Sequence, residues 1–253
     1  MIYDLQKASL LKRFSAFLLD IILVATIAAG FAFALSAITG YDTYSDAIDQ
    51  GLAEYEEKYG IKIDIDAETY EKFTDAEREN YDNAQKAMSE DKALQKNYAM
   101  VFSLSLVILS ISIFLAIFSA EFLIPLWLGN GQTVGKKVFG ICLMRIDGVR
   151  VSRLSLFARA VLGKYTIETM IPILILMMFI FGVIGFVGTV VLLMLLGLQI
   201  GVMIYTNTNS MIHDLFASTV VVDMASQMIF DSPEALLAYK EKVAAEYAER
   251  HER

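Results

Sequence analysis

Three long apolar runs dominate this chain: Phe14 to Ile38, Tyr98 to Trp127 and Met170 to Tyr205. A helix needs about 20 apolar residues to cross a hydrocarbon layer about 30 Å thick. The first two runs each allow one crossing. The third, 36 residues long, allows two, with Gly182, Gly185 and Gly188 available for a turn inside it. Hydrocarbon offers no water to pair with backbone N–H and C=O groups, so each span must satisfy them internally as a helix. The expected fold is an all-α membrane protein. It has four transmembrane helices, an extracytoplasmic helical insert, a short cytoplasmic β-hairpin and a C-terminal cytoplasmic helix.

The distribution of charge sets the expected topology. Residues 41–97 hold 16 acids and 7 bases, a net of −9, leaving +1 for the rest of a chain whose total is −8. The segment after the second span carries Lys136, Lys137, Arg145, Arg150 and Arg153 against Asp147 alone. Lys and Arg accumulate on the cytoplasmic side, so this segment is expected inside. Lys7, Lys12 and Arg13 place the N-terminus there too, and four crossings return the C-terminus to the same side. The expected location is a bacterial plasma membrane. The divisions are 1–40 (N-terminal segment and first span), 41–97 (acidic insert) and 98–128 (second span). They continue with 129–154 (basic loop), 155–206 (third and fourth spans) and 207–253 (C-terminal segment). Ala32-Phe33-Ala34 resembles a signal-peptide cleavage site, but the run before it is long and holds Asp20, so cleavage is not expected.

The insert reads as folded. Thr74-Asp75-Ala76-Glu77 has capping-box spacing before an Ala-, Glu- and Lys-rich stretch. Ile61, Ile63 and Ile65 alternate with polar residues, as in a half-buried strand. Asp64, Asp66 and Glu68 resemble the start of a calcium loop, but its glycine and distal glutamate are missing, so a solvated acidic face is expected. In the basic loop, Asp147-Gly148 between apolar residues predicts a hairpin over 138–153. Asp231-Ser232-Pro233-Glu234 predicts a helix start, with Leu236, Leu237, Val243 and Tyr247 as its contact stripe.

Three acids fall within the apolar runs: Asp20, Glu121 and Glu168. A carboxylate at the centre of a span costs about 2.5–3.5 kcal/mol on insertion scales, so each calls for a partner or a pathway. At about 1.5 Å of rise per residue, all three lie in the inner third of the membrane. Arg13 and Asp20, at spacing seven, share a helix face. Two of the three prolines follow a glutamate by four, in Glu121-Phe-Leu-Ile-Pro125 and Glu168-Thr-Met-Ile-Pro172. Each proline clashes with the carbonyl four residues back, so kinks are expected at Pro125 and Pro172. Such oxygen pairs, with Asp20, suit a hard cation or a proton relay. Alternatively, the acids pair with Arg13, Arg159 and Lys164 to hold the helices in register.

The other motifs carry less. Gly197-Leu-Gln-Ile-Gly201 has the spacing of close helix packing. Gly131-Gln-Thr-Val-Gly135-Lys136-Lys137 is one residue short of a phosphate loop, and Lys137 stands where Ser or Thr would hold magnesium, so nucleotide binding is not expected. His213-Asp214 reads either as a pH-sensitive pair or as a helix-end cap. Cys142 is the single cysteine, which excludes an intrachain disulfide and a cysteine-rich metal site. No nucleophile elbow, zinc motif or dinucleotide fingerprint is present, so an enzyme is not expected. No cofactor, metal site, catalytic residue or nucleic-acid partner is expected.

In order along the chain, these pieces resemble the RDD family of small membrane proteins. The resemblance rests on Arg13-Phe-Ser-Ala-Phe-Leu-Leu-Asp20, Gly131-Gln-Thr-Val-Gly135-Lys-Lys-Val-Phe-Gly140-Ile, Asp147-Gly148, Arg159 and Ile212-His213-Asp214-Leu-Phe-Ala-Ser-Thr219. It covers residues 10–40 and 98–223. It implies that the family's name-giving arginine and two aspartates are Arg13, Asp20 and Asp214. It also implies a transport role, with sodium/proton exchange proposed for some members. The chain departs from the family pattern at Asn209-Ser210-Met211, where a basic residue often stands, and in its long insert.

The sequence supports a first expectation of small-cation or proton exchange through Asp20, Glu121, Glu168 and Asp214. Their charge partners would be Arg13, Arg159, Lys164 and His213, with Arg13 holding Asp20 ionised. A second is a scaffold that binds a protein partner through residues 41–97. A third is an amphiphile-binding pocket between the helices, near the basic inner edge. The bilayer is a partner in every case. Four helices make a thin wall for a transport path, which favours a homo-oligomer.

Overall fold

The computed structural model describes residues 5–180 and 185–251. Among these, four helices are long and apolar enough to cross a membrane: Leu10–Thr39, Lys92–Leu128, Arg153–Phe179 and Gly185–Tyr205. The expected turn residue Gly182 lies outside the described residues. In finer detail the chain runs through α1 (Leu10–Thr39), α2 (Tyr41–Tyr59), α3 (Ala67–Glu71), α4 (Asp75–Glu90) and α5 (Lys92–Phe118). A π turn, Ser119–Leu123, leads to α6 (Ile124–Leu128) and α7 (Val134–Val138). Then come β1 (Ile141–Arg145), α8 (Arg153–Phe157), a π-helical segment (Ala158–Met170) and α9 (Ile171–Ile180). Last are α10 (Gly185–Tyr205), α11 (Ile212–Phe216), β2 (Thr219–Asp223) and α12 (Pro233–His251).

The chain divides into two compact units, one formed by residues 29–112 and the other by residues 1–28 with 113–253. The first holds the acidic insert. Its core is Ile48, Ile63, Met88 and Leu94, with Leu52, Tyr55 and Val101 packed against it. The capping box forms as its spacing predicts: Thr74 Oγ1 accepts from Glu77 N at 3.4 Å, and Thr74 N donates to Glu77 Oε2 at 2.8 Å. Asp66 caps α3 by accepting from Thr69 N at 2.8 Å. The strand expected over Ile61–Ile65 does not form. Ile61 and Ile63 are buried, but Ile63 N donates to the Glu56 side chain at 2.9 Å and Ile65 N to Ile63 O. Alternation here reports burial of two side chains in a bend, and among the described residues no strand pairs with it.

The second unit is built around a two-stranded antiparallel sheet. β1 pairs with β2 in the register Ile141↔Asp223 through Arg145↔Thr219. Both strands are buried on both faces, as a run such as Thr-Val-Val-Val requires. Ile141, Leu143 and Val221 face one cluster with Ala8, Ala16, Val151 and Leu156. Cys142, Met144, Val220 and Val222 face the other. Burial pushes the Cys142 thiol up to about 11, which leaves it inert at neutral pH. The expected hairpin over 138–153 is corrected. Its turn exists, closed by Gly148 N to Arg145 O at 3.0 Å. The returning arm, however, meets β1 through an isolated bridge, Met144 to Arg150, and Val149 bridges instead to Phe230. The β-branched segment after α11 takes the place of a local partner.

The C-terminal helix begins as predicted, with Ala235 N donating to Ser232 Oγ at 3.2 Å. Its expected contact stripe holds only in part: Leu236 is buried, whereas Leu237 and Tyr247 are exposed.

Leu143 is 1% exposed at the centre of β1. Leu143→Ala is expected to cost about 2–5 kcal/mol through lost burial and the cavity left behind. A melt of the detergent-solubilised chain should show a large drop. Leu237→Ala, at an exposed site, should shift the melt by far less; equal shifts would contradict this packing.

Candidate functional site

Asp20, Glu121 and Glu168, the acids singled out in the apolar runs, all lie in the second unit, on α1, on the π turn and on the π segment. The centre is Arg159, 2% exposed, on the π segment. Its Nε donates to Asp214 Oδ1 at 3.0 Å, its Nη1 to Glu121 Oε2 at 3.2 Å, and its Nη2 meets His213 Nε2 at 2.8 Å. A guanidinium only donates, so His213 Nε2 accepts and the ring proton sits on Nδ1. That proton points at Glu168, whose carboxylate oxygens lie 2.7 and 2.8 Å away. Glu168 also accepts from His213 N at 3.0 Å. One guanidinium therefore fixes both an acid and a histidine tautomer on α11.

Glu121, on the π turn, accepts further from Lys164, and Lys136 Nζ stands 3.9 Å away. Asp214 also takes Thr219 Oγ1 at 3.3 Å, Met211 N at 3.4 Å and Arg13 Nη2 at 3.6 Å. Asp20 is held differently. It accepts from Thr133 Oγ1 at 2.5 Å and from Gly135 N at 2.8 Å, where α7 begins. Gly135 is required for this approach, since a Cβ there would lie 2.2 Å from Ala16 O. Gly163 plays the same part opposite His213, whose Cβ would lie 2.5 Å from an added one. Those two glycines let α7 close on α1 and α11 close on the π segment.

The π segment explains how its charges share a face. At 3.6 residues per turn, Lys164 and Glu168 would sit about 140° and 180° around from Arg159. With i→i+5 bonding, at roughly 4.4 residues per turn, those offsets shrink to about 50° and 15°. Ile171 N bonds to Thr166 O, and Ile124 N to Ser119 O, the wide turns that precede Pro172 and Pro125. Each proline thus sits beside a π turn, which removes the demand for an i→i+4 bond to the glutamate carbonyl. Pro125 and Pro172 each follow such a turn directly in these helices.

A cavity of about 360 Å³ opens beside the network. Leu10, Phe14, Phe17, Met203 and Met211 form apolar parts of its wall. Arg13, Asp20, Lys136, Arg159, Lys164, His213 and Asp214 supply the charged and polar part. Two expectations are corrected here. The three acids do not face one chamber together: Asp20 lines the cavity, Glu121 lies behind Lys136, Arg159 and Lys164, and Glu168 lies behind His213. Arg13 does not pair with Asp20; it reaches Asp214 and the carbonyl of Thr208. Spacing seven permits a pair on one helix, but α7 and α11 supply each residue with a nearer partner. Thr133, Lys136, Gly163 and Thr219 were not singled out from the sequence for this network. Thr133 and Lys136 could have been found, since a threonine beginning a short helix is a capping signal.

With His213 neutral, four cations balance four carboxylates: Arg13, Lys136, Arg159 and Lys164 against Asp20, Glu121, Glu168 and Asp214. Burial holds His213 below the ordinary histidine range, assisted by Arg159 and opposed by Asp214 and Glu168. Burial is the largest influence on Asp214 and would raise its pKa. Arg159, by its charge and its hydrogen bond, and Arg13 hold the carboxyl well below the usual range against that burial. Burial lowers the Lys136 ammonium to about 8, against the pull of Glu121.

The sequence profile of the RDD family matches residues 7–218. The chain belongs to the RDD family. No curated protein and no solved structure matches it. In this RDD protein the matched region contains Arg13, Asp20, Glu121, Lys136, Arg159, Lys164, Glu168, His213 and Asp214, and excludes α12. The three residues assigned by resemblance to the family name, Arg13, Asp20 and Asp214, thus lie together around the cavity.

Two outcomes are expected. Arg159→Met leaves Asp214 and Glu121 short of a buried partner and should cost about 3–5 kcal/mol, read as a fall in melting temperature. Arg159→Lys cannot reach three partners with a fork of donors and should rescue little of it. For pH, the unfolded His213 takes a proton near about 6.5, while the folded one resists it. Its contribution to stability is complete above that value and is lost as pH falls through it toward the folded pKa. Melting temperature should therefore drop between pH 7.5 and 5.5, with a shallower slope in His213→Gln; equal slopes would refute this assignment.

Proposed function

We propose that this RDD protein is a non-enzymatic, multi-pass membrane protein that binds an amphiphile in the cavity beside Arg159. The carrying observation is the combination of an apolar wall with a charged floor neutralised by its own members. Phe14 and Phe17 are substantially exposed along α1 and give an alkyl chain a surface. The floor gives a polar head its partners without burying a net charge. Ligand pockets commonly pair apolar walls with a few placed polar groups. The topology that fits has both termini and the basic loop in the cytoplasm of a bacterium, as the Lys and Arg residues favour. Residues 41–97 then face outward, and the cavity opens toward the inner leaflet.

A second reading, cation or proton exchange, is favoured by Asp20. Among the described residues, it is the acid of this network with no basic side chain at ion-pair distance, and it lines the cavity. Sodium or a proton would be the exchanged ion. Flux in proteoliposomes should then fall in Asp20→Asn; equal flux would end that reading.

Amphiphile binding is tested by photolabelling the whole protein in nanodiscs with a diazirine-bearing alkyl glycerol and an alkyl phosphate. Saturable labelling of peptides holding Phe14, Phe17 or Met203 is expected, falling at least fivefold in Met203→Trp, which fills the chamber. Non-saturable labelling by both probes, spread along all four spans, would reject the proposal.

A further inference from the structure

We infer that the cavity selects an anion, and that the amphiphile's head is a phosphate held by Lys136, Lys164 and Arg13. This rests on the amphiphile reading and specifies its ligand. The argument is a comparison of donors with acceptors around the chamber. Each carboxylate oxygen already takes at least one contact. Asp214 takes contacts from Arg159, Thr219, Met211 N and Arg13. Glu121 is covered by Lys164, Arg159 and Lys136. Both Asp20 oxygens accept from the start of α7.

The donors are less fully used. An ammonium carries three N–H groups and a guanidinium five. Among the described residues, Lys136 Nζ makes one hydrogen bond, to Thr133 Oγ1 at 3.2 Å, and stands too far from Glu121 for a second. Lys164 Nζ binds Glu121 and has further N–H groups to give. Arg13 reaches Thr208 O at 3.5 Å and an Asp214 oxygen at 3.6 Å, both at the limit of a useful contact. All three basic residues line the cavity. An entering cation would meet three positive side chains and carboxylates already covered. An entering anion would meet unused donors and displace nothing. Phosphate presents several strong acceptor oxygens, and charge-assisted bonds to Lys and Arg are the shorter and stronger kind. Basic pockets between membrane helices hold lipid phosphates by the same chemistry. A chain attached to that phosphate has Phe14, Phe17 and Met203 to lie against.

The test uses the full chain in phosphatidylcholine nanodiscs, labelled with a diazirine hexadecyl phosphate. Competitors are unlabelled hexadecyl phosphate, hexadecanol, hexadecyltrimethylammonium and inorganic phosphate. Hexadecyl phosphate should protect at concentrations at least tenfold below hexadecanol, and the ammonium least of all. Lys136→Gln and Lys164→Gln should each weaken protection about tenfold while the melting profile shows a folded protein. Arg13→Gln provides an independent variant, and the wild-type competition series needs none. Protection by millimolar inorganic phosphate alone would support the anion site and identify a soluble source; its failure beside success of the alkyl phosphate identifies a lipid. Equal protection by hexadecanol, or preference for the ammonium, would overturn the anion assignment while leaving an amphiphile site. Absence of saturable labelling by any probe would remove the amphiphile reading itself.

Discussion

Arg159 is the group on which the second unit depends. It is buried on the π segment and reaches the π turn through Glu121 and α11 through Asp214 and His213. Burying a guanidinium with its partners is rarely a net source of stability, because desolvation offsets most of the attraction. What it provides is a demand that all partners be present at once. Misplacing α11 by a turn would strand a carboxylate and a cation together in an apolar setting. Apolar helices alone can slide past one another with little change in energy. A fully engaged buried network makes one arrangement much better than its neighbours.

The π-helical backbone is the means by which one segment presents Arg159, Lys164 and Glu168 together. π turns are rare, occur mostly as single turns inside α-helices, and are frequent at functional sites. Here the wide turns precede Pro125 and Pro172. Proline lacks an N–H and crowds the carbonyl four residues back, so an i→i+5 register on its N-terminal side relieves a conflict that an α-helix would suffer. The same change of register re-aims the acids that sit four residues before each proline. The Glu-x-x-Ile-Pro repeat was legible in the sequence as a local irregularity. Its consequence for the phase of the helix was not, because an α-helical wheel puts Glu168 opposite Arg159.

Legibility followed the range of the interaction. The four apolar helices, the Thr74 capping box and the start of α12 depend on neighbours close in sequence, and each could be read directly. The sheet could not. β1 had a turn signal beside it, yet its real partner begins more than seventy residues later, and only burial on both faces chooses between them. The same holds for Asp20. Arg13 shares its helix face by arithmetic, but the N–H of Gly135 and the hydroxyl of Thr133 arrive from a distant segment and win. Ile61, Ile63 and Ile65 mislead for a related reason: period-two burial needs a partner strand before it means a strand. Acids in apolar runs did identify where polar interactions would concentrate, since burying an unpaired carboxylate is too costly to be incidental.

In an apolar sequence an acid is more conspicuous than a base at the edge of a run. Carboxylates inside apolar runs suggest a cation path, because each looks alone along the chain. In three dimensions each acquires a fixed partner, and the question of ligand charge passes to whichever groups retain unused hydrogen-bonding capacity. A carboxylate that already accepts on both oxygens and has ammonium groups for neighbours is less open to an incoming cation, and an ammonium with one partner still has N–H groups to give. Lys136, brought in by the short helix that also caps Asp20, tips that balance at the cavity. Neutral overall charge and a surplus of donors are compatible, because charge counts electrons while recognition counts directed contacts. A site of this kind can hold an anionic head without carrying a net positive charge into the apolar layer, which is the less costly way to combine membrane burial with anion recognition.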